Sequence, residues 1–285
     1  MEKYPLVSII IPTYNSSRTL ENTLISIVNQ TYKNIEIIVI DNNSKDNTKE
    51  IAFKYTKNVF NKWPERTAQK NYWIEKSNWE YLLLIDWDMS LDNNLIEDCI
   101  LKLELSEKNA GVCIPVVDIW NSFWTKVIAF ERSFYKWTDI EAARFLKTSL
   151  VNKVWWYKDI IFYEEFIVPQ EISKLWFNVK IHTEFNIYHD YDDFSFKLNL
   201  KKKFYYWKSL NKYKEEMQIL WLDSFSNNQT WIISRYMIFL KNKRFYKNPI
   251  LAISVLILKT LEFWSGALGL IFSKLKNNLK YESRK

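Results

Sequence analysis

"YLLLIDWDM", residues 81–89, runs five apolar or aromatic residues straight into two aspartates separated by a tryptophan. The apolar run reads as a strand buried on both faces. Carboxylates on alternate residues at its end would repel each other unless a cation stands nearby. Working outward, "VSIII" (7–11) is a β-branched strand that Pro12 is expected to end. "IEIIVI" (35–40) is a second buried strand, broken by the turn chemistry of "DNNSKDNT". Between them a helix is expected over about 18–30, capped by Ser16 or Ser17, with Leu20, Leu24, Ile27 and Val28 on one face. Further helices are expected up to about Tyr55, over 65–77 and over 95–105. Further strands are expected near "NVF" and as one run "GVCIPVV" (111–117). Short apolar strands alternating with helices predict an α/β fold with a mixed, mainly parallel sheet. Ligands in such sheets bind beyond the carboxyl ends of the strands, where Asp41, Asp86 and Asp88 all fall.

Composition narrows the class. Of 285 residues, 48% are hydrophobic and 26% charged, a globular balance. Strand-like sequence from Leu6 onward argues against a signal peptide. Cys99 and Cys113 are the only cysteines, too few for a disulfide framework or a Cys-based metal site. The net charge of +7 is concentrated late, in "KKKFYYWKSLNKYK" (201–214) and "FLKNKRFYKNP" (239–249). Such runs suit a solvated helix face, anionic lipid or nucleic acid. The apolar stretch 249–272 that follows favours lipid, and no nucleic-acid module accompanies the charge. Lys259 and Glu262 interrupt that stretch, so an interfacial or re-entrant helical pair is expected in preference to a transmembrane helix.

A lone D-x-D is more often the start of a turn than a metal site, because the pattern is short. Hard oxygen donors at a strand end suit Mg²⁺ or Mn²⁺, with phosphate and water filling the other positions. The longer run "VSIIIPTYNSSRTLENTLISIVNQTYKNIEIIVIDNNSKDNT", with "ERTAQKNYWIEKSNWEYLLLIDWDM" behind it, resembles the nucleotide-binding half of family 2 glycosyltransferases with the A-type, Rossmann-like fold. The resemblance implies that Pro12 and Tyr14 of "PTYN", with Asp41 and Asn42, embrace the base and ribose of a UDP- or GDP-sugar. It implies that Arg66 and Asn71 face the nucleotide, and that Asp86 and Asp88 anchor the diphosphate through the metal. It also puts His189 where some relatives contact diphosphate or metal; the other reading of that His is structural.

The same resemblance places an acidic pair ahead of a helix on the acceptor side, here Glu164-Glu165, with Glu165 in the place of the family's Asp. A carboxylate there would take the proton from an acceptor hydroxyl in an inverting transfer. Arg144 is held as a neighbour of acceptor or diphosphate. The expected organisation is a catalytic domain over 1–215, with halves 1–117 and 118–215, and membrane-associated helices over 216–285. The acceptor would be a glycan or polyprenyl-linked cell-envelope precursor at the cytoplasmic membrane face. Two other readings stand: a polyprenyl-phosphate glycosyltransferase, and an inactive sugar-nucleotide-binding module.

One compositional oddity bears on all of this. Glycine averages about 7% of residues, so roughly 20 would be expected, and the chain has 3 beside 14 tryptophans. Trp63, Trp73, Trp79, Trp137, Trp155, Trp156, Trp176 and Trp207 fall where the resembling family commonly has glycine. The expectation is a gene that reads UGA as glycine, rendered here with UGA as tryptophan. The other reading is a tryptophan-rich chain with aromatic sugar-stacking sites. Trp87 fits the first reading least well, because the middle residue of D-x-D varies.

Overall fold

A computed structural model describes residues 4–61, 79–136, 138, 141–154, 164–191, 194–208, 210–219 and 232–282. The strands are β1 (Val7–Thr13), β2 (Ile35–Asp41), β3 (Val59–Asn61), β4 (Tyr81–Leu84), β5 (Met89–Leu91), β6 (Gly111–Cys113), β7 (Val116–Ile119), β8 (Ala143–Lys147), β9 (Ile181–His182) and β10 (Ile187–Asp190). The helices are α1 (Leu20–Val28), α2 (Thr48–Phe53), α3 (Leu95–Glu104), α4 (Phe123–Arg132), α5 (Thr148–Lys153), α6 (Glu164–Lys174), α7 (Phe196–Lys208), α8 (Leu210–Ile219), α9 (Ile232–Leu240) and α10 (Pro249–Glu282). Described residues within 1–119, 136–159 and 164–191 form one compact unit, and those within 120–135 and 192–285 belong to a second.

The first unit is built on a seven-stranded sheet ordered β3-β2-β1-β4-β8-β6-β9. The β3-β2-β1-β4 half is parallel, and β8 runs antiparallel to both its neighbours. Period-two alternation sends β1 to both faces. Ile9 and Ile11 pack with Leu20, Leu24 and Cys99, whereas Ile10 packs with Ile38, Leu82 and Val151. Each fully buried Ile contributes about 1.5–3 kcal/mol by leaving water, and helices on both faces are what that run requires. Gly111 allows β6 to lie close to β8, since a Cβ there would meet Leu146 Cδ2 at 2.8 Å.

Several local expectations are corrected. Pro12 does not end β1, which continues to Thr13. Pairing with β4 stops at Ile10, so the donor that proline lacks has no partner waiting on that side. Helix α1 starts at Leu20 without a side-chain cap. The Ser16 and Ser17 amides instead donate to Thr48 Oγ1 (2.7 Å) and Asp46 Oδ2 (3.1 Å), tying two loops together. Val28 is exposed, and Thr23 takes the buried place on α1. The run 111–117 is two strands in different sheets, because Ile114-Pro115 interrupts it. The expected helix over 65–77 lies outside the described residues.

In the second unit the apolar stretch forms one continuous helix, α10, and not a re-entrant pair. Lys259 and Glu262 need no break in it, because both turn toward other helices. Lys259 Nζ lies 2.7 Å from Glu131 of α4 and 2.8 Å from Glu262, which Asn199 and Lys203 of α7 also engage. Burial would lower the Lys259 ammonium, but Glu131, then Tyr135 and Glu262, outweigh it and hold it well above its usual range. Burial would likewise raise the Glu262 carboxyl, yet Lys203 and Lys259 bring it down to about 2.

Candidate active site

The order of the parallel strands reverses between β1 and β4, and the acids stand at the carboxyl ends around that point. Asp41 closes β2 and is fully buried. Its oxygens accept from Thr13 Oγ1 (3.0 Å) and from the Ser44 amide (2.8 Å) and hydroxyl. The PTYN and DNNS loops are then laced together. The Asn15 amide donates to Ser44 Oγ (2.8 Å), and the Lys45 amide donates to Asn15 Oδ1 (2.8 Å). Asn15 and Asn43 take left-handed backbone, φ 48° and 53°, which asparagine tolerates better than most residues. Asp41 therefore fixes the shape of the rim. Exposed groups come from Tyr14, and Asn42 keeps a buried Oδ1 without a hydrogen-bond partner.

Past β4 the D-x-D forms a tight turn in which the Met89 amide donates to the Asp86 carbonyl. The Trp87 carbonyl accepts from Thr23 Oγ1 of α1 (2.8 Å), and its ring packs on the first core. Trp87 has no positive φ, so the bulk between the aspartates is accommodated without backbone strain. The chain then enters β5, one edge of a small sheet ordered β5-β10-β7. In that sheet His189 pairs with Met89 on one side and with Asp118 on the other. The Asp190 amide donates to the Asp88 carbonyl (2.8 Å), which locks the turn to β10.

This register brings three polar side chains together. His189 Nδ1 lies 2.8 Å from Asp118 Oδ1 and Nε2 lies 3.3 Å from Asp88 Oδ2, with the imidazole largely buried. A carboxylate only accepts, so Nδ1–H belongs to Asp118 and Nε2 is turned to Asp88. Asp88 Oδ1 is buried with no hydrogen-bond partner. With a neutral imidazole, whose Nε2 lone pair then faces Asp88, this pair and the unpartnered carboxylate oxygen fit a cation. Octahedral ligands about 2.1 Å from one Mg²⁺ and at right angles lie about 3.0 Å apart, close to the distance here. Among the described residues no three His, Cys, Asp or Glu side chains surround one point, so Asp86 does not complete a three-residue cage. Two protein ligands suffice for a metal whose other positions go to diphosphate and water.

Asp118 is the residue that sequence reading missed. Its signal was present in "VVDI", but three- and four-residue strands carry too little periodicity to reveal a pairing with "IYHD". Glu164 and Glu165 open α6, and Pro169 within that helix has no N–H to give the Glu165 carbonyl. Their side chains, and the whole of Arg66 and Asn71, lie outside the described residues. Arg144 sits half-buried in β8.

This mixed, mainly parallel sheet, with its laced loops and acidic turn at the switch point, is the A-type glycosyltransferase fold. The chain belongs to glycosyl transferase family 2, whose profile matches residues 8–167. An uncharacterized glycosyltransferase of Rickettsia typhi is 40% identical over 96 residues, 33% of this chain and 30% of that protein. The matched stretch spans about a third of the length of such curated relatives. The mannosyltransferase PcManGT of Pyrobaculum calidifontis, in complex with GDP-Man and Mn²⁺, superposes with a TM-score of 0.64. It is 13% identical, over 96% of this chain and 89% of that one. S. aureus TarS 1–349 in complex with UDP-GlcNAc gives 0.55 at 14% identity, over 97% and 92%.

Proposed function

We propose that the protein is a metal-dependent, inverting glycosyltransferase. It would take a sugar from a UDP- or GDP-linked donor to a cell-envelope glycan or lipid-linked acceptor at the cytoplasmic membrane face. The observation that carries this reading is the Asp88–His189–Asp118 array at the carboxyl end of β4, with its unpartnered carboxylate oxygen. Tyr14 and Asn42 hold the base and ribose against a rim shaped by Pro12 and Asp41, with Arg66 and Asn71 on the nucleotide side. Asp88 and His189 hold Mg²⁺ or Mn²⁺, Asp86 stands beside them, and Asp118 keeps the imidazole in the tautomer that presents Nε2. When bound, the metal neutralises charge on the departing diphosphate. Glu165 accepts the proton of the acceptor hydroxyl as its oxygen attacks the anomeric carbon from the face opposite the diphosphate. The two neighbours holding GDP-Man with Mn²⁺ and UDP-GlcNAc support the donor class and the metal.

UDP and GDP, titrated with and without Mn²⁺ against thermal unfolding, test the donor side. The matching nucleotide at a hundred times its dissociation constant should stabilise by about 2.7 kcal/mol, and only with metal. Glu165→Gln should then lower turnover by about 10²–10⁴-fold with nucleotide binding unchanged. The replacement of the family's Asp by Glu165 keeps one second reading open, transfer to a polyprenyl phosphate. A phosphate acceptor needs no base, so a fully active Glu165→Gln enzyme would select it.

A further inference from the structure

Helix α10 has two faces of opposite character. One is turned into its own unit: Leu251, Val255 and Leu258 are buried, and Lys259 and Glu262 are spent on α4 and α7. The other is exposed and apolar at every third or fourth position from Ile250 to Leu275, Ile253, Ile257, Leu261, Trp264 and Leu268 among them. At the helical rise this stripe is about 38 Å long. Between Ile232 and Leu275 the only acidic residue is Glu262, and it is buried. Basic residues flank the stripe, with Lys241, Lys243, Arg244 and Lys247 exposed before it and Lys197, Lys201 and Lys202 exposed on α7.

Helix α7 is bound to α10 along its length. Ser265 Oγ donates to the Leu200 carbonyl (2.7 Å), and a Cβ at Gly269 would meet the Phe204 carbonyl oxygen at 2.2 Å. The Trp207 ring occupies the space over Gly266, and Lys208 lies over the Phe272 ring (5.5 Å). A bilayer-crossing α10 would carry the α7 lysines into hydrocarbon, where charge is strongly disfavoured. Lying flat, the same helix sinks its stripe to the acyl boundary and leaves those lysines at headgroup level. Two copies facing each other through this stripe would bring like charges together.

We propose that the exposed face of α10 docks in the plane of an anionic lipid bilayer, with the α7 lysines at its headgroups, and does not span it. This deepens the membrane-face part of the proposed function, and its test uses neither sugar nor nucleotide, so the two readings can fail separately. The full chain is sedimented with preformed vesicles of phosphatidylcholine, with and without a quarter of phosphatidylglycerol. Binding should be about tenfold stronger with the anionic lipid and should weaken in high salt. Ile253→Glu with Trp264→Glu should remove it, whereas Leu105→Glu, at an 81% exposed apolar site of the other unit, should not. Lys247→Cys and Glu282→Cys should both react with an impermeant maleimide added outside bound vesicles. Native thiol background is low, because Cys99 and Cys113 are buried and burial pushes their thiols up, Cys113 to about 12. Protection of either new cysteine would show a spanning helix and overturn the proposal. So would vesicle binding indifferent to the stripe charges, or a lipid-free dimer that those charges dissolve.

Discussion

Among the described residues, two buried charged clusters are built to opposite specifications. In the second unit Lys259 is enclosed by Glu131 and Glu262, and Glu262 is met again by Asn199 and Lys203. In the first, Asp118 backs His189, His189 faces Asp88, and one Asp88 oxygen has no hydrogen-bond partner. A closed cluster holds helices in place. A cluster with an unsatisfied buried acceptor pays desolvation without return until something binds. Hydrogen-bond completeness is what sets the two clusters apart.

The sharpest way to break this contrast is Asp88→Ala. It should weaken Mn²⁺-dependent binding of nucleoside diphosphate by more than about a hundredfold in titration calorimetry. Thermal stability should hold or rise, since an unsatisfied carboxylate is removed. Undiminished binding would remove Asp88 from the metal. Lys259→Met should do the reverse, costing about 3–5 kcal/mol of stability in denaturant unfolding, because it leaves the buried Glu131 carboxylate without its ammonium and Glu262 with only Lys203 and Asn199; nucleotide binding by the surviving folded protein should be unchanged. Acid should spare the same network until late. The folded pKa of Glu262 is depressed from 4.5 to about 2, so its contribution is complete above pH 4.5 and is lost as pH falls toward 2. Asp118→Asn should weaken Mn²⁺ affinity by about 10–100-fold without moving the melting temperature, a split that a purely structural Asp118 would not produce.

The smallest expected effect concerns Trp176. It follows α6 in left-handed backbone, φ 65°, with its ring 89% exposed and its amide donating to the Ser173 carbonyl (3.0 Å). This is the helix-terminating position that glycine fills most readily, and no burial of the indole repays the backbone. Trp176→Gly should stabilise by about 1 kcal/mol in thermal unfolding. The coding sequence should carry UGA at that codon; UGG throughout would end the recoding argument. Trp79 and Trp207 have ordinary φ, so their backbones make no such demand, and the remaining tryptophans named with them lie outside the described residues.

Legibility in the sequence followed run length. "VSIII", "IEIIVI" and "YLLLI" are long enough to announce buried parallel strands, and the acids at their ends came with them. The small sheet did not announce itself, since β5, β7 and β10 are three or four residues each and pair across distant sequence. Pro115 was a readable signal that 111–117 is two strands, because proline seldom sits inside a central strand. Lys259 and Glu262 looked like interruptions of an apolar stretch. Three residues apart, they share one helix face, and only the structure shows that this face has acidic and basic partners.

The way His189 is anchored has a consequence for how such a chain can change. About a hundred residues separate it from Asp88, yet its place is set by two strand pairings and one backbone hydrogen bond, not by the length of chain between. Insertions in the loops between β7 and β10 leave the imidazole where it is, provided the register and the core strand β8 survive. A slip of one residue in β10 would turn it to the opposite face. Three side chains far apart in sequence are thus held together by strand register, so the connecting loops are free to diverge while the trio stays intact.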